Sequence, residues 1–373
     1  MLFFFKKLFI FLLPIGLFFA FPLTVFFLSK EYYSVSGAID YQTKNPEALV
    51  GFAYGGDDQA FKGMLVAQKN PEVFALGASI TGEFRKEFFI ESANFVTASN
   101  AVVTFNDMKS FIKNLPADNK TKIIIFGFTA RQTFFSEDAP KNAQKTHTTA
   151  ATILDRSRLI YWQYLTGKFS LQNLWYQSQN AKKIGMSASI NNDGFRADGS
   201  YQYEKILTDP NRKEILQSSV NGFISEYQKN RALSGYQNSV SNATIAELTE
   251  LLQLCQKKNI YAIGFLQPYP PAVYEEFTNL NDASAKRVSE LSKTIEKIFS
   301  NHNFAFYDFS DISVLGLQKN NTEFVDWGHG TDKLYLRMVI SMAKKNKELQ
   351  KYVDIQKNQR LLQNTTKDFI DGL

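Results

Sequence analysis

The chain has 373 residues, a formal net charge of +6, three histidines and one cysteine. One cysteine excludes an internal disulfide, and a modest positive balance without a basic cluster or aromatic–basic motif points away from nucleic acid. Beyond an apolar leader, roughly 340 residues of ordinary composition suffice for one large domain or two small ones.

Met1–Lys7 is short and carries Lys6 and Lys7, and Leu8–Leu28 is an uncharged apolar run. Its length of about 20 residues matches a hydrocarbon core of roughly 30 Å. A cleavable signal peptide would be shorter and end at an Ala-x-Ala-like site, whereas this run ends in Phe26-Phe27-Leu28-Ser29-Lys30. Residues 1–30 therefore read as an uncleaved signal anchor, with Pro14 and Pro22 tolerated inside the helix. The basic end is expected in the cytoplasm and the remaining chain outside. With so little cysteine, this suits a single-pass protein of a bacterial inner or cytoplasmic membrane.

Residues 31–70, with Gly51, Gly55 and Gly56, read as a linker and capping segment. From Pro71 the pattern becomes strand, helix, strand. Val73–Leu76 is a short apolar strand, 84–90 a helical turn, and 94–103 a second strand and loop. Asp107–Leu115 is predicted as an amphipathic helix with Met108, Phe111, Ile112 and Leu115 on one face. The β-branched run Lys122–Phe128 is the strongest strand, and apolar character on both faces suits a parallel sheet covered by helices.

Between about 133 and 240 this rhythm lapses. Helices are predicted over 150–165 and 171–179, with Tyr161, Trp162, Tyr164, Trp175 and Tyr176 taken as core in preference to a sugar platform. The segment reads as an insertion over the carboxyl edge of the sheet, or equally as an ordinary helical excursion. The rhythm resumes with a helix over 244–257, where Thr244 and Glu247 are spaced as a capping box. A strand over 261–266, a helix over 284–299, a strand over 304–309 and a helix from about 332 to 347 follow. This alternation predicts an α/β fold over 71–350, a doubly wound, mostly parallel sheet flanked by helices. The polar tail, 351–373, is expected as a loose helix or disordered.

Two places carry chemistry. Ala75-Leu76-Gly77-Ala78-Ser79 ends a buried strand in a small-residue turn bearing a serine, and Asp326-Trp327-Gly328-His329 sets a carboxylate three residues from an imidazole. A serine hydroxyl is a weak nucleophile until an imidazole takes its proton, and a carboxylate holds that imidazole in the right tautomer. Plainer roles also fit: Ser79 as a small turn residue, Asp326 as a loop cap. A metal would need a second histidine near His329. Cys255, among leucines, reads as a buried small hydrophobe, and His147 and His302 read as loop and turn residues. No cofactor motif is present.

An early Ala-Leu-Gly-Ala-Ser block and a late Asp-x-x-His block resemble the SGNH/GDSL hydrolase superfamily, over about Pro71–Ser341. The membrane-anchored envelope branch is the closer likeness, with its proteins of alginate O-acetylation and teichoic acid D-alanylation. The resemblance implies a flavodoxin-like three-layer fold with Ser79 as nucleophile, His329 as base and Asp326 as its orienting carboxylate. It also implies an acyl esterase or O-acyltransferase acting on a cell-envelope polysaccharide, beside a membrane-bound O-acyltransferase. The second block here is Thr97-Ala98-Ser99-Asn100, without the usual glycine. The third is Gly127-Phe128-Thr129-Ala130 in place of Gly-x-Asn-Asp. Asn100, Thr129, Arg131 and Gln132 are the substitutes to consider for the oxyanion. Those departures support the alternative of a non-catalytic accessory or glycan-binding subunit of such a system.

Overall fold

The computed structural model describes residues 1–55, 57–102, 104–129, 149–180, 182–230, 242–278 and 283–370. The chain divides into two compact units, residues 1–57 with 140–197 and residues 58–139 with 198–373. In chain order the elements used below are α1 (Leu2–Leu28), α2 (Asp58–Lys69), β1 (Val73–Gly77), β2 (Val96–Ser99), α3 (Phe105–Lys113) and β3 (Ile123–Phe128). They continue with α4 (Thr149–Leu165), α5 (Leu171–Ser178), α6 (Arg212–Asn230), α7 (Asn242–Lys257), β4 (Tyr261–Leu266), α8 (Ala283–Asn301), β5 (Ala305–Asp308), α9 (Asp332–Lys345) and α10 (Ile355–Asn364).

In the first unit, α1 is long and apolar enough to cross a membrane. Its last turns pack on α4 and α5 through Val25, Leu28, Ile160, Phe169 and Leu174. Glu31, just past α1, is buried and accepts the amides of Ala53 and Met186 at 2.7 and 2.9 Å, so a carboxylate joins three segments. The segment 31–70, expected as a linker and capping segment, includes the helix Val35–Lys44 and the short strand Leu49–Val50, which pairs in parallel with Lys183–Ile184. The aromatic set of α4 and α5 is not core. Tyr161 stacks on Phe18 and Tyr164 meets Phe21, while Trp162, Trp175 and Tyr176 are exposed.

The second unit is a mixed α/β domain. Five parallel strands lie in the order β2-β1-β3-β4-β5, the strand order of one doubly wound class. Alternate residues of the inner strands face opposite ways. Val73, Ala75, Ile123, Ile125, Ile263 and Phe265 meet Leu336, Val339 and Met342 of α9. On the other face Phe74 meets Phe111 of α3, and Phe128 meets Phe105 and Phe299. Burial on both sides is why the inner strands read as unbroken apolar runs. The segment expected as one insertion over 133–240 is divided, because residues from Asp198 onward, including α6, belong to the sheet unit.

Three local expectations differ. The helix predicted from Asp107 starts at Phe105, because Thr104 and Asp107 form a reciprocal capping box. The helix predicted from Thr244 begins at Asn242, so Thr244 is buried inside the first turn and is not its cap, and Glu247 accepts from Asn106 at 2.7 Å. The tail is not loose. α10 packs on α9, Asn358 donates to the Phe88 carbonyl at 2.7 Å, and Ile370 is buried.

The constraint that positions the site is electrostatic. Arg85, 1% exposed, pairs with Asp332 at 2.8 Å and Glu87 at 3.5 Å. Asp332 opens α9 immediately after the Asp-x-x-His loop, where a helix N-terminus favours a carboxylate. Its second oxygen accepts the Ile370 amide at 2.9 Å. Removing one partner of such a buried pair leaves an uncompensated charge. Arg85→Ala is therefore expected to cost about 3–5 kcal/mol in thermal unfolding of the full-length protein. A loss below about 1 kcal/mol would remove the pair from this structural role.

Candidate active site

Parallel register brings the carboxyl ends of all the strands to one edge. Gly77 lies opposite Ser99 and Gly127, Phe128 opposite Leu266, and Leu266 opposite Asp308. Just beyond β1 the chain turns into a short 3₁₀ helix, Ser79–Thr81, which presents Ser79 half-buried at that edge. The turn sits directly on the sheet, and glycines make room for it. A Cβ on Gly127 would lie 2.6 Å from the Thr81 methyl, and one on Gly77 2.9 Å from it. Thr97 Oγ1 donates to the Thr81 carbonyl at 2.6 Å, and the buried Tyr335 hydroxyl donates to the Ile80 carbonyl. The turn that bears Ser79 is thus pinned from β2 and from α9.

Asp326 and His329 sit in a tight hairpin. Phe324 and Gly330 form an antiparallel bridge, and Val325 N–H donates to the His329 carbonyl at 2.8 Å. Arg212 of α6 donates to the carbonyls of Thr322 and Phe324 at 2.8 and 3.0 Å. Arg337 grips Glu323 with two bonds of 2.8 Å each. Trp327 stacks on Phe223, with ring centroids 3.7 Å apart, and Gln267 at the end of β4 donates to the Gly328 carbonyl at 3.4 Å.

The three side chains form a linear relay. Asp326 Oδ1 accepts the amides of Gly328 and His329 at 2.7 and 2.9 Å, and Oδ2 lies 2.9 Å from His329 Nδ1. His329 Nε2 lies 2.8 Å from Ser79 Oγ. With Nδ1–H donating to the carboxylate, Nε2 is left to accept the serine proton. Burial alone would raise Asp326, yet the imidazole and the two amides hold it below the ordinary carboxylate range. For His329 burial acts downward, and the Asp326 hydrogen bond together with the Glu83 and Asp326 charges raises it above its ordinary value.

Glu83 is the residue that sequence reasoning missed. It is 2% exposed, and burial pushes its carboxyl up to about 7, with His329 pulling it down and Asp326 raising it further. The Tyr203 hydroxyl faces it, and neither carboxyl oxygen makes a close, well-aligned hydrogen bond among the described residues. Tyr203 stands beside the His329 ring at 6.1 Å between centroids. It comes from a segment anchored by Asp198, which accepts the amides of Lys86 and Ser200 at 2.8 and 2.9 Å. Beneath that segment the fully buried Lys62 donates to the Gly199 carbonyl, and burial lowers its ammonium to about 7. The only signal for Glu83 in the sequence is one acid four residues after the serine, just before an aromatic run.

The candidate oxyanion donors are not all in view. Asn100 is exposed and left-handed (φ 59°) beyond the end of β2, and Thr129 is half-buried after β3. Arg131, Gln132 and His147 lie outside the described residues. His302, as expected, sits in a turn, with Nδ1 at 2.8 Å from the Ile298 carbonyl, and Cys255 is buried. Among the described residues no group of three or more His, Cys, Asp or Glu could hold a metal ion.

Because the folded carboxyl of Glu83 titrates near 7 and the ordinary value is 4.5, its favourable contribution is full below about 4.5 and lost as pH rises through 7. Glu83→Gln is therefore expected to stabilise the protein at pH 8 relative to pH 5, by up to about 3 kcal/mol. Thermal melts at the two pH values check this, and an unchanged difference between variant and parent would contradict it. No protein-family model, curated protein or solved structure matches this chain.

Proposed function

We propose that this protein is a membrane-anchored, extracytoplasmic acyl esterase or O-acyltransferase of SGNH type. Its substrate is an acyl ester of a cell-envelope polysaccharide, and it works beside a membrane-bound O-acyltransferase. The observation that carries this reading is the relay of Asp326, His329 and Ser79, with links of 2.9 and 2.8 Å. α1 supports the anchored location.

In the first half-reaction Ser79 Oγ attacks the acyl carbonyl while its proton passes to His329 Nε2. The tetrahedral oxyanion collapses to acyl-Ser79, and the imidazolium returns the proton to the departing alkoxide. Ser79 and Ile80, which open the 3₁₀ turn, carry amides that the turn itself leaves unengaged, the kind of donor an oxyanion needs. In the second half-reaction His329 deprotonates the acceptor, water for an esterase or a glycan hydroxyl for a transferase, and Ser79 is released. Asp326 holds the ring and stabilises the imidazolium throughout. Glu83 adds a second negative field on that imidazolium.

A serine-directed fluorophosphonate is expected to label the full-length protein and to fail on Ser79→Ala. Asp326→Asn is expected to lower acyl-ester turnover by about 10³–10⁴-fold, since the wrong tautomer is then favoured. The base must be neutral, so turnover rises with pH through the raised His329 value. Glu83→Gln removes a charge that raises it, and the acid limb of the kcat/KM profile should move to lower pH. A folded protein that neither labels nor turns over an acetyl ester would favour the non-catalytic accessory subunit instead.

A further inference from the structure

The first unit holds a surface that the relay does not use. α4 and α5 form a helical hairpin against α1, and their outward residues are large and apolar: Trp162 is 56% exposed, Leu165 79%, Trp175 62% and Tyr176 75%. Side chains of this size are rarely left so open together without a partner.

The register of the hairpin on α1 says where it lies. Arg156, midway along α4, acts on Glu31 beyond the far end of α1. Ile160 packs with Val25 and Leu28. Tyr161 stacks on Phe18, donates to its carbonyl at 2.8 Å and also meets Phe21, and Tyr164 meets Phe21. α4 therefore runs antiparallel to α1, and the hairpin tip reaches back to the level of Phe18–Phe21. At the other end Lys30 donates to the carbonyls of Asn180 and Lys183 at 2.8 and 3.2 Å, beyond the hairpin's return.

Helix length then fixes the surroundings. From Leu8 to Phe18 there are eleven residues, about 16 Å at 1.5 Å per residue. Even counted from Leu2 the seventeen residues to Phe18 span only about 26 Å. A hydrocarbon core of roughly 30 Å is thicker than either. The rest of the crossing falls on the part of α1 that the hairpin clasps, so the tip enters the bilayer with it, by about 4–14 Å.

The tip is built for that setting. Backbone groups in lipid need internal partners, and here Thr166, Gly167 and Lys168 N–H donate to the carbonyls of Trp162, Tyr164 and Gln163 at 2.9, 3.0 and 2.8 Å. Gly167 supplies the left-handed residue (φ 71°) that this closure requires. Thr166 Oγ1 returns to the Trp162 carbonyl at 2.8 Å, and Ser170 caps α5 through the Asn173 amide at 3.2 Å. Lys168, the one charged residue of the turn, has a stem that lets its ammonium rise to the headgroups. It favours the shallow end of the depth range.

We propose that the α4–α5 hairpin is a lipid-binding wedge, inserted beside α1 into the leaflet on the side of the folded units. Its aromatic side chains lie at the level of the acyl-chain and headgroup boundary. The occupant of this surface is phospholipid, for which Trp and Tyr at such a boundary are suited. The inference rests on α1 crossing the membrane, and the test separates the two.

Nitroxide labels are placed by Leu165→Cys at the tip, Trp175→Cys on α5 and Phe11→Cys in α1, in the full-length protein reconstituted in phosphatidylcholine–phosphatidylglycerol vesicles. The native Cys255 is buried and stays unlabelled. Collision rates with oxygen, which partitions into lipid, are compared with those for a water-soluble nickel chelate. Oxygen excess at Leu165 and at Phe11, with an intermediate value at Trp175, is the expected result. Oxygen excess at Phe11 with nickel excess at Leu165 overturns the wedge and leaves the anchor standing. Nickel excess at Phe11 overturns both. A Leu165 label reached by neither reagent marks a face covered by protein, and this too overturns the lipid assignment.

Discussion

The buried pair of Arg85 and Asp332 holds two distant parts of the chain in one place. Ser79 and His329 are 250 residues apart in sequence, and their 2.8 Å contact has no local cause. It follows from two links of similar span: Arg85 to Asp332, and the Tyr335 hydroxyl to the Ile80 carbonyl. A guanidinium removed from water is tolerable only when its partners are in place, so the arrangement is close to all-or-none. Asp332 also takes the Ile370 amide, and this ties the tail into the same knot. The relay geometry is a property of the whole α/β unit.

The electrostatics of the site follow from that compactness. One imidazole sits between two acids of unlike character. Asp326 is partly open and held ionised by amides, whereas Glu83 is enclosed, faced by a phenol and raised toward neutrality. Opposed environments for like groups are a common way to divide roles between them. The acid that orients the ring keeps its charge at every working pH. The enclosed one, raised by burial to about 7, is one of the charges that raise His329.

The parts of this design visible in the sequence were those written in local periodicity. β1 and β3 are apolar on both faces because helices cover both, and a covered strand shows as an unbroken run. Asp326 and His329 were visible because one short loop supplies both. Glu83 and Tyr203 were not, because their meaning depends on segments far apart in sequence that meet through the Asp198 anchor and the Tyr201 amide on the Gly82 carbonyl. α10 was hidden by its overall polarity, since only Ile355, Leu361, Leu362 and the later Ile370 face the core. The aromatic residues of α4 and α5 misled for a related reason. Composition registers that Trp and Tyr avoid water, and a helix that lies against another apolar helix answers that demand outside any protein core.

The Ile370 amide bond to Asp332 has a consequence in time. The strands that carry Ser79 are complete by about residue 128, yet His329 and the amide that steadies Asp332 arrive some 200–240 residues later in synthesis. At about 5–20 residues per second the interval is roughly 10–50 s. Throughout it the serine is an ordinary alcohol. The Ser79 hydroxyl gains its His329 partner only when the last segments of the chain close over the sheet.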